Sequence, residues 1–213
     1  MSLELHYIDG SPFARIVRIL AREHGVAMRE IEIIEFPPPD SFLEINPLGQ
    51  VPVLMADGAA HFPTRIAIEA FLARLPKPAQ GIAPTIARPG SQAKDEQGLA
   101  VILAMGDALA AYHYAKWAGI GPVDRNQLGF DPAERNMIRV LGTLDWLEKR
   151  MQDGGFQPGH ISVQDIALSA FILWTESRGP VAWRGRPQIE RLVGALEGRA
   201  SFTATAPRPH RLK

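Results

Sequence analysis

The chain has 213 residues, of which 46% are hydrophobic and 22% are charged, the proportions of a soluble globular protein. Its 23 lysines and arginines balance its 23 aspartates and glutamates, so its net charge does not attract nucleic acid or an anionic membrane. We find no apolar run as long as a membrane span and expect a cytoplasmic protein. Cysteine is absent, which excludes disulfides and a cysteine nucleophile of the chain itself. The six histidines are scattered and show no metal-ligand spacing.

The first 75 residues alternate between strand and helix signals. A buried strand over residues 3–8 is followed by a turn that opens a helix at Pro12, where the missing N–H is harmless. Alternating apolar residues predict a second strand over residues 28–34, and Asp57-Gly58 predicts a hairpin. A helix is predicted over residues 65–75. This order of elements predicts a thioredoxin-like domain.

The segment of residues 46–54 combines a turn with an apolar strand whose second residue is Pro52. Proline cannot donate to a strand ladder and is normally excluded from sheet interiors. After a cis bond, Pro52 would sit in a tight turn that leaves the backbone groups of Val51 free to pair with an extended ligand. An ordinary turn before a buried strand explains the segment equally well, and both interpretations stay open at this point.

The composition changes between residues 75 and 90, where four prolines and two glycines predict a linker. The rest of the chain carries helical patterns, and Ser162 and Asp165 have the spacing of a capping box. The predicted helices cover residues 91–117, 131–154, 162–177 and 187–196, followed by an irregular basic tail over residues 199–213 with a solvated end. We therefore predict an α/β plus all-α chain: a thioredoxin-like domain over residues 1–76, a linker over 77–90 and an all-helical domain over 91–213.

Both halves of the chain carry distinctive motifs, at residues 11–18, 46–54, 67–72, 162–167 and 199–207. In the order and spacing of these motifs the chain resembles the glutathione S-transferases, over nearly its whole length. The linker and residues 118–130 are the least distinctive parts. The resemblance implies a thioredoxin-like domain followed by a helical domain, glutathione as co-substrate without a metal, a small-molecule electrophile and a homodimer.

Two residues compete for the role of binding the glutathione thiolate. Ser11 precedes Pro12 at a helix start, where unpaired N–H groups and the helix dipole favour an anion. The resemblance to serine-type members implies that the Ser11 hydroxyl hydrogen-bonds the thiolate, although a pure helix-capping role remains open. Tyr7, at the end of the first strand, is the alternative, because tyrosine-type members place their phenol there. A tyrosine at this point is also a common core residue.

The resemblance implies that Gln50, Val51 and Pro52 bind the peptide part of glutathione, with Pro52 in a cis bond and the Val51 backbone pairing with the cysteinyl unit. The chain departs from the family at Thr64 and Arg65, where a Glu-Ser pair usually holds the γ-glutamyl group. Thr64 can cap the helix but carries no charge, and Arg65 would either grip a carboxylate or point to solvent. We therefore expect glutathione to bind with about millimolar or weaker affinity.

The long helix after the linker carries Tyr112, His113 and Trp117, and family geometry implies that Tyr112 and His113 wall the electrophile pocket. Packing between the domains is the alternative for these residues and the favoured interpretation for Trp117. The leading functional hypothesis is an enzyme that adds the glutathione thiolate to a small electrophile. A non-catalytic binding protein with the same fold, whose Thr64-Arg65 site no longer takes glutathione normally, is the alternative. A glutathione-dependent isomerase or dehalogenase ranks third, because the Ser-Ser-Cys motif of the isomerase subgroup is absent.

Overall fold

The structure is a computed structural model that describes residues 3–35, 37–75, 86–87, 90–120, 129–179 and 181–208. Four strands and eight helices lie in these residues. In chain order they are β1 (Leu3–Tyr7), α1 (Pro12–Glu23), β2 (Arg29–Glu32), α2 (Asp40–Ile45), β3 (Val53–Ala56), β4 (Ala59–His61), α3 (Thr64–Leu72), α4 (Gln92–Trp117), α5 (Pro132–Glu148), α6 (Val163–Arg178), α7 (Pro187–Leu196) and α8 (Ala200–Thr203).

The strands form one mixed sheet in the order β2-β1-β3-β4. β1 pairs in parallel with β2, and β3 pairs antiparallel with both β1 and β4. α1 connects the two parallel strands, and α3 follows the hairpin and packs against α1 and β3. The predicted fold class, a thioredoxin-like unit followed by a helical part, is confirmed.

Local sequence signals fixed the starts of several helices as predicted. Asp131 caps α5 by accepting from the N–H groups of the first helical turn, and Ser162 and Asp165 form a complete capping box on α6. The N–H and hydroxyl of Ser162 both donate to the Asp165 carboxylate, at 2.7 and 2.6 Å. Burial raises the pKa of Asp165 to about 6, because it disfavours the charged carboxylate.

Two expectations about the helical part were wrong. The tail is not irregular throughout, since α8 lies within it, and Arg208 is bound to Asp9 rather than freely solvated.

By length and composition α4 could cross a membrane, with a mean hydropathy of 1.3 over its most apolar window. In this fold, however, α4 packs against α5 and α6 and buries Leu99 and Ile102 completely, so it has the contacts of a core helix.

One hydrophobic cluster runs through both halves of the chain. The main junction is between α1 and α6, where the rings of Phe13 and Phe171 meet edge to face at 4.9 Å. Beside it, the indole N–H of Trp174 donates to the carbonyl of Gly10 at 2.8 Å. The start of α1, which carries the predicted thiolate-binding serine, is therefore packed directly against the helical half.

Candidate active site

Ser11 is the N-cap of α1. Its backbone is extended, and its Oγ accepts a hydrogen bond from the N–H of Ala14 at 3.2 Å. A hydroxyl that accepts one bond keeps its own proton to donate, and no acceptor for that proton lies among the described residues. The N–H groups of the first turn and the helix dipole make this a favourable place for a negative charge. Capping the helix and donating to an anion are thus compatible roles for one side chain.

Tyr7 is buried at the end of β1, and its hydroxyl is already engaged. It donates to Glu32 at 3.5 Å, while the guanidinium of Arg18 lies 4.3 Å from the ring centroid. Burial raises the pKa of Tyr7, and Arg18 partly offsets that effect. A phenol has a single proton to donate, so Tyr7 could serve a thiolate only after leaving Glu32.

The turn before β3 is organised by Asn46, whose side chain is 1% exposed. Its Nδ2 donates to the carbonyl of Gln50 at 2.7 Å and its Oδ1 accepts from the N–H of Leu48 at 3.1 Å. Gly49, between them, has a φ of +62°, a left-handed conformation that suits glycine. Asn46 was not predicted as a positioning residue, although an Asn-Pro pair that opens a turn is a sequence signal for such side-chain bonds.

The peptide bond between Val51 and Pro52 is cis. Pro52 is buried, Val51 is half-buried and Gln50 is exposed. Within the described part of the chain, neither the N–H nor the C=O of Val51 has a hydrogen-bond partner. These two groups can therefore accept an extended ligand as an added strand. We call residues 50–52 the proline ledge.

At the start of α3, Arg65 is held by two glutamates. Its Nε donates to Glu69 at 2.8 Å and its Nη2 lies 3.6 Å from Glu96 on α4, so it does not point freely to solvent. The hydrogen bond that Arg65 donates to Glu69 is the main reason why the pKa of Arg65 is raised. Thr64 is the first helical residue and is 8% exposed. Pro63, rather than Thr64, holds the cap position and makes no side-chain cap bond.

The aromatic residues predicted to line the electrophile pocket form one group with Trp174. His113 lies between Trp117, stacked at 5.7 Å, and Trp174, edge-on at 4.9 Å. It is 2% exposed, and burial, helped by Lys116, lowers its pKa, so the imidazole is neutral at pH 7. Tyr112 is half-buried and Trp117 is 41% exposed. His113 is therefore buried inside this aromatic group, and Tyr112 and Trp117 are its more exposed members.

Comparison with known proteins adds three findings. A family model described as the glutathione S-transferase N-terminal domain matches residues 5–70. The uncharacterised GST-like protein YibF of Escherichia coli strain K12 is 26% identical over 200 residues, which cover 92% of this chain and 95% of YibF. A glutathione S-transferase of Methylobacillus flagellatus, solved with GSH bound, is 25% identical and superimposes with a TM-score of 0.78 over 97% of this chain and 100% of that one. The chain is therefore similar to glutathione S-transferases, over residues 5–70 by the family model and over nearly its whole length by these two proteins.

A second glutathione S-transferase, from Methylobacterium radiotolerans in complex with glutathione sulfonate, has the same fold as this chain. It has a TM-score of 0.81 at 21% identity and covers 100% of this chain and 98% of its own. Sequence patterns missed the contact of Trp174 with Gly10, because a tryptophan on an apolar helix is typical of a core residue. Within the described residues, no group of three His, Asp or Glu side chains could hold a metal ion.

Proposed function

We propose that the chain is a glutathione transferase in which Ser11 donates a hydrogen bond to the thiolate of glutathione. The observation that carries this proposal is the difference between the two candidate hydroxyls. The proton of Ser11 has no acceptor among the described residues, whereas the proton of Tyr7 is directed to Glu32. A charge-assisted hydrogen bond stabilises the thiolate over the thiol and lowers the thiol pKa.

The proline ledge supports glutathione as the ligand. The cysteinyl unit of glutathione would pair with the free N–H and C=O of Val51, and this pairing would place the glutathione sulfur towards the start of α1. The relatives from M. flagellatus and M. radiotolerans were crystallised with GSH and glutathione sulfonate respectively. In the reaction the thiol gives its proton to solvent, and the thiolate sulfur forms a bond to an electrophilic carbon beside Tyr112 and Trp117. The leaving group of that carbon departs to solvent with the electron pair of the bond that breaks. We further propose a cytoplasmic homodimer whose domains cover residues 1–76 and 91–213.

A titration of the bound thiol tests the role of Ser11. The ultraviolet absorbance of the glutathione thiolate is followed against pH for the wild-type protein, Ser11→Ala and Tyr7→Phe. We expect Ser11→Ala to raise the pKa of the bound thiol by about one to two units, the size of one charge-assisted hydrogen bond. Tyr7→Phe is the matched control and should leave that pKa unchanged. If Ser11→Ala leaves it unchanged instead, the proposed role of Ser11 is wrong.

The non-catalytic alternative is favoured by one specific observation. Thr64 supplies no negative charge for the γ-glutamyl ammonium, and the neighbouring Arg65 is a cation held by Glu69 and Glu96. The test is glutathione binding at about 50 mM, a concentration well above a dissociation constant in the low millimolar range. A protein that does not bind glutathione even at this concentration would fit the alternative. Saturable binding together with conjugation of a general electrophile would exclude it.

A further inference from the structure

The C-terminal segment 199–208 runs back along α1, from the end of that helix towards its start. Arg199 forms a two-point ion pair with Glu23, the last residue of α1, at 2.8 and 2.6 Å. In the first turn of α1, the buried guanidinium of Arg15 donates to the carbonyl of Phe202 at 3.0 Å. The segment is therefore attached to α1 at two points before it reaches the loop between β1 and α1.

Arg208 binds this loop with its backbone and its side chain. Its N–H donates to the Asp9 carboxylate at 2.8 Å and its Nε lies 3.1 Å from the same oxygen. Its Nη2 donates to both oxygens of Glu32, at 2.7 and 2.8 Å. Its carbonyl accepts from Arg178, the last residue of α6, at 3.1 Å. The backbone N–H and C=O of Arg208 and its Nε and Nη2 are thus all engaged, which is unusual for an exposed residue.

Asp9 is one of the two central residues of the turn that precedes the serine. The turn is closed by a hydrogen bond from the N–H of Ser11 to the carbonyl of Ile8 at 2.9 Å. The other central residue, Gly10, accepts the indole N–H of Trp174 at 2.8 Å. Both central residues are therefore fixed by groups of the helical half, one by a charged contact and one by a neutral contact.

We propose that Asp9, Arg208 and Trp174 are positioning residues for Ser11, so that the C-terminal segment sets the orientation of its hydroxyl. This inference rests on the proposed function of Ser11. A functional hydrogen bond requires its donor to be held within about 0.5 Å by surrounding contacts, and the turn before Ser11 has these two anchors. Because the Asp9–Arg208–Glu32 contacts are exposed, salt weakens them more than it weakens the Trp174 bond.

Matched variants separate positioning from general stability. Arg208→Ala removes the charged anchor, and Trp174→Phe removes the indole N–H but keeps an aromatic ring. Arg199→Ala breaks the ion pair at the other end of the same segment. Trp183→Phe removes another indole N–H, which donates to Glu176 far from the turn along the chain. Arg208→Lys retains the positive charge and should restore part of the wild-type behaviour.

The first readout is hydrogen exchange of the amides in residues 8–11, which needs no ligand. Arg208→Ala and Trp174→Phe should each speed the exchange of the Ser11 amide by about threefold or more, because they free the turn to open locally. They should also raise the pKa of the bound thiol by about half a unit to one unit. Arg199→Ala and Trp183→Phe should change neither quantity.

The outcomes distinguish this inference from the proposed function. Unchanged exchange at Ser11 in both Arg208→Ala and Trp174→Phe would overturn the positioning inference, even if Ser11→Ala shifts the thiol pKa. Faster exchange in Arg208→Ala and Trp174→Phe, together with a bound-thiol pKa that is unchanged in Ser11→Ala, would support the anchoring of the turn and contradict the proposed role of Ser11. Faster exchange in Arg199→Ala as well would assign the effect to the segment's general stability and would also overturn the inference.

Discussion

The pair Thr64-Arg65 at the start of α3 allows a quantitative prediction for glutathione binding. Thr64 supplies no carboxylate for the γ-glutamyl ammonium, and Arg65 places a cation beside it. We predict that the double variant Thr64→Glu/Arg65→Ser binds glutathione about 10- to 150-fold more tightly than the wild-type protein. That range corresponds to one charge-assisted hydrogen bond of roughly 1.5–3 kcal/mol.

The structure indicates that the loss of the Arg65 contacts will be tolerated. Removing Arg65 breaks its contacts with Glu69 at 2.8 Å and Glu96 at 3.6 Å. These glutamates are 42% and 39% exposed, so each pair contributes about 0.2–1 kcal/mol at most. A carboxylate in the first turn of α3 is favoured by the helix dipole by about 0.3–1 kcal/mol, which offsets part of that loss.

Isothermal titration calorimetry on the wild type, both single variants and the double variant measures the effect. Thr64→Glu should contribute most of the gain, and Arg65→Ser should add to it by removing the repulsion. Arg74→Ala is the control, because it breaks a comparable ion pair with Asp57 at 2.9 Å outside the site. A folded double variant with unchanged affinity, or a wild-type dissociation constant in the micromolar range, would refute the reasoning.

Two further predictions concern stability and are tested by urea unfolding. Gly106→Ala should destabilise the fold by about 1–3 kcal/mol, because the added Cβ would lie 2.2 Å from the ring of Phe171. Its control is Gly142→Ala, whose Cβ would have nothing within 4 Å and which should stabilise α5 by about 0.5–1 kcal/mol. Equal effects of the two variants on the free energy of unfolding would contradict this packing. Because the pKa of Asp165 rises from 3.8 to about 6 on folding, the folded state binds its proton more tightly, and this group's contribution is lost as pH rises from about 4 to 6. The stability advantage of the wild type over Asp165→Asn should therefore shrink by roughly 2 kcal/mol between pH 4 and 7, and parallel pH profiles would disprove it.

The parts of the fold that the sequence predicted are encoded by contacts between near neighbours. Pro12 marks the start of α1, Ser162 bonds to Asp165 three positions later, and the turn Asp57-Gly58 has both residues at positive φ. Such signals act within four residues, so a pattern can carry them. They located the strands and most helix starts, whereas the cis bond of the proline ledge was expected only from the resemblance to a known family.

The contacts that complete the candidate site could not be predicted in this way. Arg208 and Asp9 are 199 positions apart, and Trp174 and Gly10 are 164 positions apart. Neither pair leaves a local pattern, and a basic C-terminus is typical of a solvated end, which is why Arg208 was misjudged. Arg65 also contacts Glu96 across the linker, which no local pattern shows, whereas its closer contact with Glu69 has the i,i+4 spacing of a helical pair.

These long-range contacts show that both halves of the chain hold the candidate site in place. The turn before Ser11 is fixed by Trp174, the first turn of α1 packs on α6 through Phe13 and Phe171, and α3 reaches α4 through Arg65. The ligand-binding elements of the thioredoxin-like half are thus supported from the helical half, within one shared hydrophobic cluster. Because an interface buried on both sides resists separation, the two halves hold the candidate site as one unit. Substitutions in the helical half, far along the chain from Ser11, are therefore expected to alter thiolate chemistry as well as the electrophile pocket.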